Sequence, residues 1–296
     1  MPKPLALTAL GAFLVVDALL IALVYQHVNQ DPPPSDIEAA FQEAQPTPTG
    51  PVSTQVAFDF RPAAAGLVDL ANDGTWVFAT RGRCDGRGSP TVWTSSASGA
   101  DAEERDPGLA SVQGVYADGD GAITLVGADD QCTVQQVQSL DGGQTWQPLF
   151  EVDRWAVAPD DQRVILSPSG DRSEPGCTVS SLSPLDDDFA RVTCVDGIIK
   201  GTGNGGDEWV DLGRLDNIRT ASFSTFNAGY ALARFEGCAA QVFVTRDSGR
   251  SWAPVECLPG DPARAVTSSD TSLVVVTGED PEIWISDDAG EEFTQP

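Results

Sequence analysis

The sequence predicts an all-β fold in which about six four-stranded sheets are arranged radially. Three observations carry this expectation. An eight-residue turn pattern recurs along the chain, each copy follows apolar alternation of strand type, and the last three copies begin 43 and 41 residues apart, the length of one repeat in a radial all-β array. The first copy is Ser139-Leu140-Asp141-Gly142-Gly143-Gln144-Thr145-Trp146. The others run Thr202 to Trp209, Thr245 to Trp252 and Ser286 to Phe293. The shared pattern is Ser/Thr-x-Asp/Asn-x-Gly-x-x-Trp/Phe.

Each position has a physical reason. Asp141, Asn204, Asp247 and Asp288 can accept bonds from backbone N–H groups two residues on and hold a turn closed. Gly143, Gly206, Gly249 and Gly290 supply positive φ without a Cβ clash. Trp146, Trp209, Trp252 and Phe293 return on the next strand and pack over the turn. Ser139, Thr202, Thr245 and Ser286 open each copy. Every copy thus joins strand three to strand four of one sheet.

This pattern resembles the Asp box, or bacterial neuraminidase repeat, of β-propellers such as sialidases, sortilin-type receptors and photosystem II stability/assembly factor-like proteins. The resemblance implies a β-propeller in which these turns are structural and lie away from the binding face. The phrase Phe223-Ser224-Thr225-Phe226-Asn227-Ala228-Gly229-Tyr230-Ala231 is also similar to a strand-one to strand-two corner of the assembly-factor-like propellers, and leans toward a binding scaffold.

Taken in order, Leu5 to Tyr25 is an apolar run interrupted by Thr8, Gly11 and Asp17. Its length suits a bilayer span of ~20 residues and exceeds a signal-peptide core of about 7–15. Lys3 precedes it, and no Lys or Arg follows before Arg61. By the positive-inside rule the N-terminus is cytoplasmic and the rest lies outside. Residues 1–27 therefore read as a signal-anchor transmembrane helix, with a cleaved signal peptide and secretion as the alternative. Asp17 would cost roughly 2.5–3.5 kcal/mol at mid-membrane, which a strongly apolar helix tolerates or a membrane partner relieves. Residues 28–54 form a Pro-rich linker, stiff by composition. Within it Ser35-Asp36-Ile37-Glu38 can cap a short helix.

Residues 55–296 make the propeller. Gln55 to Phe60 alternates like a strand that closes the ring by joining the last blade. The first blade holds Leu67–Leu70, Thr75–Ala79 and Thr91–Thr94, with a decayed turn at Ser95–Gly99. The second runs from Gly114 to Trp146. The third takes Trp155–Val157 and Arg163–Leu166 as inner strands and the Cys177 to Cys194 hairpin as its outer pair. Ile198–Lys200 with the Trp209 turn forms a short fourth blade. The fifth runs Thr220 to Trp252 and the sixth Ala265 to Phe293. Five blades is the alternative, if Cys194 to Gly213 is an insertion.

The six cysteines of an exported chain suggest disulfides. The start of strand three and the end of strand four share one rim of a blade, so Cys238–Cys257 is geometrically reasonable. Cys177–Cys194 flank a hairpin in the same manner. Cys84–Cys132 then joins adjacent blades. Zinc is discounted, because no Cys-x-x-Cys occurs and His27 is the single histidine.

Acidic residues number 44 against 17 basic, a net charge of −27. Such a surface repels nucleic acid and anionic lipid, so neither is a partner of the globular part. No metal or other cofactor is expected. Asp118-Gly119-Asp120-Gly121 with Asp129-Asp130, and Asp186-Asp187-Asp188, read as solvated turns because neither has a full calcium loop.

A non-catalytic binding or assembly module follows, taking a protein partner or a glycan at the rim loops or the channel mouth. Arg81 to Ser89 and Asp171 to Gly176 are rim candidates. The alternative is an exo-sialidase-like glycoside hydrolase. Phe60-Arg61-Pro62 partly matches the motif such enzymes carry. That chemistry needs an arginine triad and an activated tyrosine. Tyr116 and Tyr230 sit in apolar strands, and no spacing singles out a triad, so no catalytic residue is assigned.

Overall fold

The computed structural model describes residues 65–85, 88–95, 102–235, 237–269, 272–278 and 280–296. All lie in the compact unit Phe58–Pro296. The expected anchor (1–27), linker (28–54), closing strand Gln55–Phe60 and Arg61 lie outside them. No helix among the described residues is long and apolar enough to cross a membrane.

The fold is a six-bladed β-propeller. Blade 1 comprises β1 (Leu67–Leu70), β2 (Trp76–Ala79), β3 (Val92–Thr94) and β4 (Glu103–Arg105). Blade 2 comprises β5 (Ser111–Gly119), β6 (Ala122–Ala128), β7 (Val134–Ser139) and β8 (Gln147–Leu149). Blade 3 has three two-residue strands, β9 (Ala156–Val157), β10 (Ile165–Leu166) and β11 (Arg172–Ser173). Blade 4 holds β12 (Val179–Pro184), β13 (Ala190–Cys194), β14 (Ile198–Thr202) and β15 (Val210–Arg214). Blade 5 holds β16 (Ile218–Phe223), β17 (Gly229–Phe235), β18 (Cys238–Thr245) and β19 (Ala253–Leu258). Blade 6 holds β20 (Ala263–Ser269), β21 (Ser272–Thr277) and β22 (Glu282–Ser286), with Thr294 bridging Ile285 on its outer side.

The apolar core lies between blades. Leu67, Val77 and Val92 meet Val112, Ile123 and Leu125 between blades 1 and 2. Val126 meets Ala156 and Leu166 between blades 2 and 3. Matching clusters join blades 3 to 4, 4 to 5 and 5 to 6. Leu70, Trp76 and Phe78 pack on Ala265, Val274 and Val276, so blade 6 closes onto blade 1. The Gly66 N–H also donates to the Arg264 carbonyl at 3.0 Å. Each inner sheet is covered on both faces, which is why Trp76-Val77-Phe78-Ala79 is buried throughout. Outer strands such as Glu103–Arg105 and Gln147–Leu149 face water.

The blade boundaries expected around residues 155–213 need correction. The Cys177–Cys194 hairpin is the inner pair of blade 4, not the outer pair of blade 3, and Ile198–Thr202 is that blade's third strand. Val179, Ala190 and Val192 need an apolar cover, and Trp155, Val157 and Ile165 of blade 3 supply it. On the other side, the Ser181 hydroxyl accepts the Ala221 N–H at 3.0 Å and the Ser183 hydroxyl accepts the Phe223 N–H at 2.8 Å, fastening β12 to β16. Blade 3 keeps only three short strands, so six blades stand and Cys194 to Gly213 is no insertion.

The four recurring turns have one geometry. In the first, the Ser139 hydroxyl donates to Asp141 Oδ1 at 2.8 Å and accepts the Gly143 N–H at 2.8 Å. Asp141 Oδ1 accepts the Thr145 N–H at 2.8 Å, four residues on rather than two. The Gly206, Gly249 and Gly290 N–H groups repeat the bond to Thr202, Thr245 and Ser286. Glu208, Ser251 and Glu292 repeat the second, to Asn204, Asp247 and Asp288. Two successive residues take positive φ in every copy, and the first of them is Ser248 in one turn and Ala289 in another.

The turns also reach sideways. The Gly142, Gly205 and Ser248 N–H groups donate to Gly121, Asp188 and Asn227, tying each turn to the strand-one to strand-two turn of its own blade. The Gly142 carbonyl accepts the Thr94 hydroxyl of blade 1 at 2.9 Å. Trp209 Nε1–H donates to the Ser173 hydroxyl of blade 3 at 3.2 Å. These turns therefore fasten a blade to its predecessor as well as strand three to strand four.

Three disulfides form, Cys84–Cys132, Cys177–Cys194 and Cys238–Cys257, with Cα separations of 5.1, 5.8 and 5.9 Å. The first links blade 1 to blade 2, and the others each close one blade.

Candidate functional site

The innermost strands β1, β5, β12, β16 and β20 surround a cavity of about 440 Å³ on the propeller axis. Strand-one to strand-two connections and the recurring turns share one end of a four-stranded antiparallel sheet, so they gather on one face of the disc. Asn72, Asp187, Ser224 and Ser269 line the cavity at that face, and Gly66, Gln113 and Ser181 line it near the other.

Asp69 is the cavity's most perturbed acid. On β1 it accepts the Ala117 N–H of blade 2 at 2.8 Å and the Thr267 hydroxyl of blade 6 at 3.5 Å. It thus holds three blades at the seam where the ring closes. Burial pushes its carboxyl from the ordinary 3.8 up to about 6, and Asp118 adds to the rise against the opposing Ala117 and Leu70 N–H bonds. The folded pKa lies above the unfolded one. The favourable contribution of neutral Asp69 is therefore complete below about pH 4 and is lost as pH rises through 6. Asp69→Asn is expected to raise stability at pH 7 by on the order of 1–2 kcal/mol after allowance for channel water, with no gain at pH 4. Thermal unfolding of both proteins across that range checks it, and an equal gain at both pH values would refute it.

The connection into blade 3 forms the neighbouring wall. Arg154 donates to Asp118 at 3.0 Å and lies over the Tyr116 ring at 5.2 Å. The Trp155 indole N–H donates to the Asp186 carbonyl at 2.7 Å, and its own carbonyl accepts the Tyr116 hydroxyl. Asp153 is held by Gln136 at 2.7 Å. Asp69, Asp153, Asp186 and Asp187 make the lining acidic.

Neither tyrosine is disposed as a nucleophile. The Tyr230 hydroxyl donates to the Ala289 carbonyl at 3.1 Å. Burial raises both phenols above their ordinary value, against the ionisation a nucleophile needs. Among the described residues three arginines are not gathered in the cavity, and Arg154 is the one arginine in its lining.

The rim candidates divide. Asp171 to Gly176 is largely exposed, with Arg172 paired to Asp160 at 3.0 Å. Arg81 is not a rim residue, being 3% exposed. The acidic turns are bonded internally. Asp129 accepts the Gln131 and Thr133 N–H groups, and Asp186 accepts those of Asp188 and Phe189. No cluster of three or more metal-ligating side chains occurs among the described residues.

Nothing in the sequence marks Asp69, and Arg154 is one of several arginines that no spacing singles out. Ser181 and Ser183 are marked only by their alternation on an inner strand, since alternate positions share a face.

No family model matches the chain, and no curated protein matches it. Among solved structures it is similar to the GH74 enzyme of Niastella koreensis, at 12% identity and a TM-score of 0.46, over 79% of this chain and 45% of that one. It is similar to YCF48 bound to D1 peptide, at 15% identity and a TM-score of 0.32, over 82% and 74%. A GH74 xyloglucanase from Xanthomonas campestris gives 15% and 0.33, over 79% and 38%. The chain thus spans less than half the length of either GH74 protein, and at these values nothing about activity carries over.

Proposed function

We propose that the protein is a non-catalytic, extracytoplasmic binding module whose working surface is the channel mouth, on the same face as the recurring turns and not, as the resemblance implies, away from them. The observation that carries this reading is the acidic axial cavity, open among polar loops and walled by side chains already bonded to the scaffold. Three disulfides support an oxidising compartment. The four recurring turns are, on this reading, Asp boxes with a structural role. Residues 1–27 anchor the chain and 28–54 space the propeller from the membrane. The acidic lining favours a partner that presents basic groups.

A photo-crosslinking residue at Ser224, at the mouth, tests the reading in the full chain within its native cells. A discrete adduct is expected there and not from the same residue at Glu104 on an outer strand. Equal labelling from both, or from Glu104 alone, would overturn it.

One observation favours a glycoside hydrolase as the second reading. Asp69, at about 6, has the value of a protonated acid poised near neutrality. Its oxygens are engaged with Ala117 and Thr267, which weighs against proton delivery. Turnover of a fluorogenic sialoside that disappears in Asp69→Asn would establish the enzyme instead.

A further inference from the structure

Arg81 follows β2 at the end of blade 1 away from the recurring turns. Its guanidinium donates to Gln113 Oε1 on blade 2 at 3.1 Å and to the Ser180 carbonyl on blade 4 at 3.1 Å. Gln113 and Ser180 lie near the starts of β5 and β12, so all three residues sit at the same end of the channel. Blades 1 and 4 are not neighbours in the ring; three blade interfaces separate them in either direction. A side chain that joins them therefore crosses the axis. The loop is fixed from behind, because the Arg81 carbonyl accepts the Val112 N–H at 2.7 Å and Gly82 bridges Ser111.

The charge makes the placement unusual. Arg81 is 3% exposed, no carboxylate pairs with it among the described residues, and its Nε–H has no partner. Burial alone lowers it to about 10, so it stays protonated at neutral pH. A buried cation without a counter-ion costs stability, and a structural bridge between blades would be served as well by a neutral side chain. What a long, planar, five-donor group supplies is reach across the channel and two oriented bonds on its far side.

We propose that Arg81 is a cross-channel plug, which makes the axial cavity a blind pit that a ligand enters only from the face carrying the recurring turns. This rests on the channel mouth as the working surface, yet its test needs no ligand, so the two can fail separately. All six cysteines are in disulfides, so an introduced cysteine is the single free thiol. Thr220→Cys places it at the Arg81 end of β16, and Ser224→Cys places it at the mouth, where the half-buried Ser224 follows the same strand.

Labelling by a small methanethiosulfonate reagent is then timed with and without Arg81→Ala. With Arg81 present, Ser224→Cys should react about tenfold faster than Thr220→Cys, because thiol labelling follows access. Removing Arg81 should speed Thr220→Cys about fivefold or more and leave Ser224→Cys unchanged. Gln113→Ala, which keeps the cation and removes one of its two holds, should give a smaller acceleration of the same site. It serves if Arg81→Ala fails to fold. An unchanged Thr220→Cys rate in the folded variant would overturn the plug.

Discussion

Gly213→Ala is expected to lower stability by roughly 3 kcal/mol or more, which for a domain of this size is about 6–12 °C in the unfolding midpoint. A Cβ at Gly213 would sit 1.9 Å from the Gly249 carbonyl oxygen and 2.5 Å from its carbon. Both are backbone atoms of the blade 5 turn, held by the Thr245 and Asp247 bonds, so no side chain can swing aside. The substitution therefore pushes blade 4 from blade 5 and opens the cluster of Ile199, Leu215, Phe223 and Phe243. Val210→Ala on the same strand, at a position 49% exposed, should change stability by less than about 0.5 kcal/mol. Equal shifts for the two variants would show that the blades do not approach as described.

The second large effect concerns the blade 1 to blade 2 disulfide. Cys84–Cys132 closes 48 residues, against 17 and 19 for the other two. On the chain-entropy account the longer loop contributes about 4 kcal/mol and the shorter ones about 3. Removal of the first also leaves the exposed connections of blades 1 and 2 without their covalent tie, whereas Cys177 and Cys194 remain neighbours through the β12–β13 ladder. The Cys84→Ser/Cys132→Ser protein should thus unfold at lower denaturant than Cys177→Ser/Cys194→Ser. The reverse order, measured by urea unfolding, would contradict the role of this bond at the seam.

Much of the architecture was legible because turns are local. The spacing of Asp141, Gly143 and Trp146 fixes a turn whatever surrounds it, and Cys238 and Cys257 meet because strand three and strand four must. The blade 3 to blade 4 boundary was not legible. Its inner strands are buried on both faces, so Val179, Val192 and Ile165 show no alternation that assigns them to a sheet. The role of Ser139 and its counterparts was also hidden, since a hydroxyl that donates to Asp141 while accepting the Gly143 N–H leaves no trace in hydropathy. Ser248 and Ala289 hid a positive-φ position that glycine marks in the other two copies.

The site was less legible than the fold, for a related reason. Asp69, Arg81 and Ser183 act across blades, on partners 48, 99 and 40 residues away. Such pairings appear only once the ring has closed. Arg81, at the start of a polar loop, has the sequence context of a solvated rim residue and the burial of a core one.

If the channel mouth is the working surface, the recurring turns are clamps of the scaffold and not a ligand surface. Amide hydrogen exchange at Gly143, Gly206, Gly249 and Gly290 tests this most directly, because each N–H is bonded to the turn's own Ser or Thr hydroxyl. The expected result is exchange as slow as that of the neighbouring strands, unchanged when a partner binds. Exchange as fast as at Gly88, or protection gained only on partner binding, would contradict it.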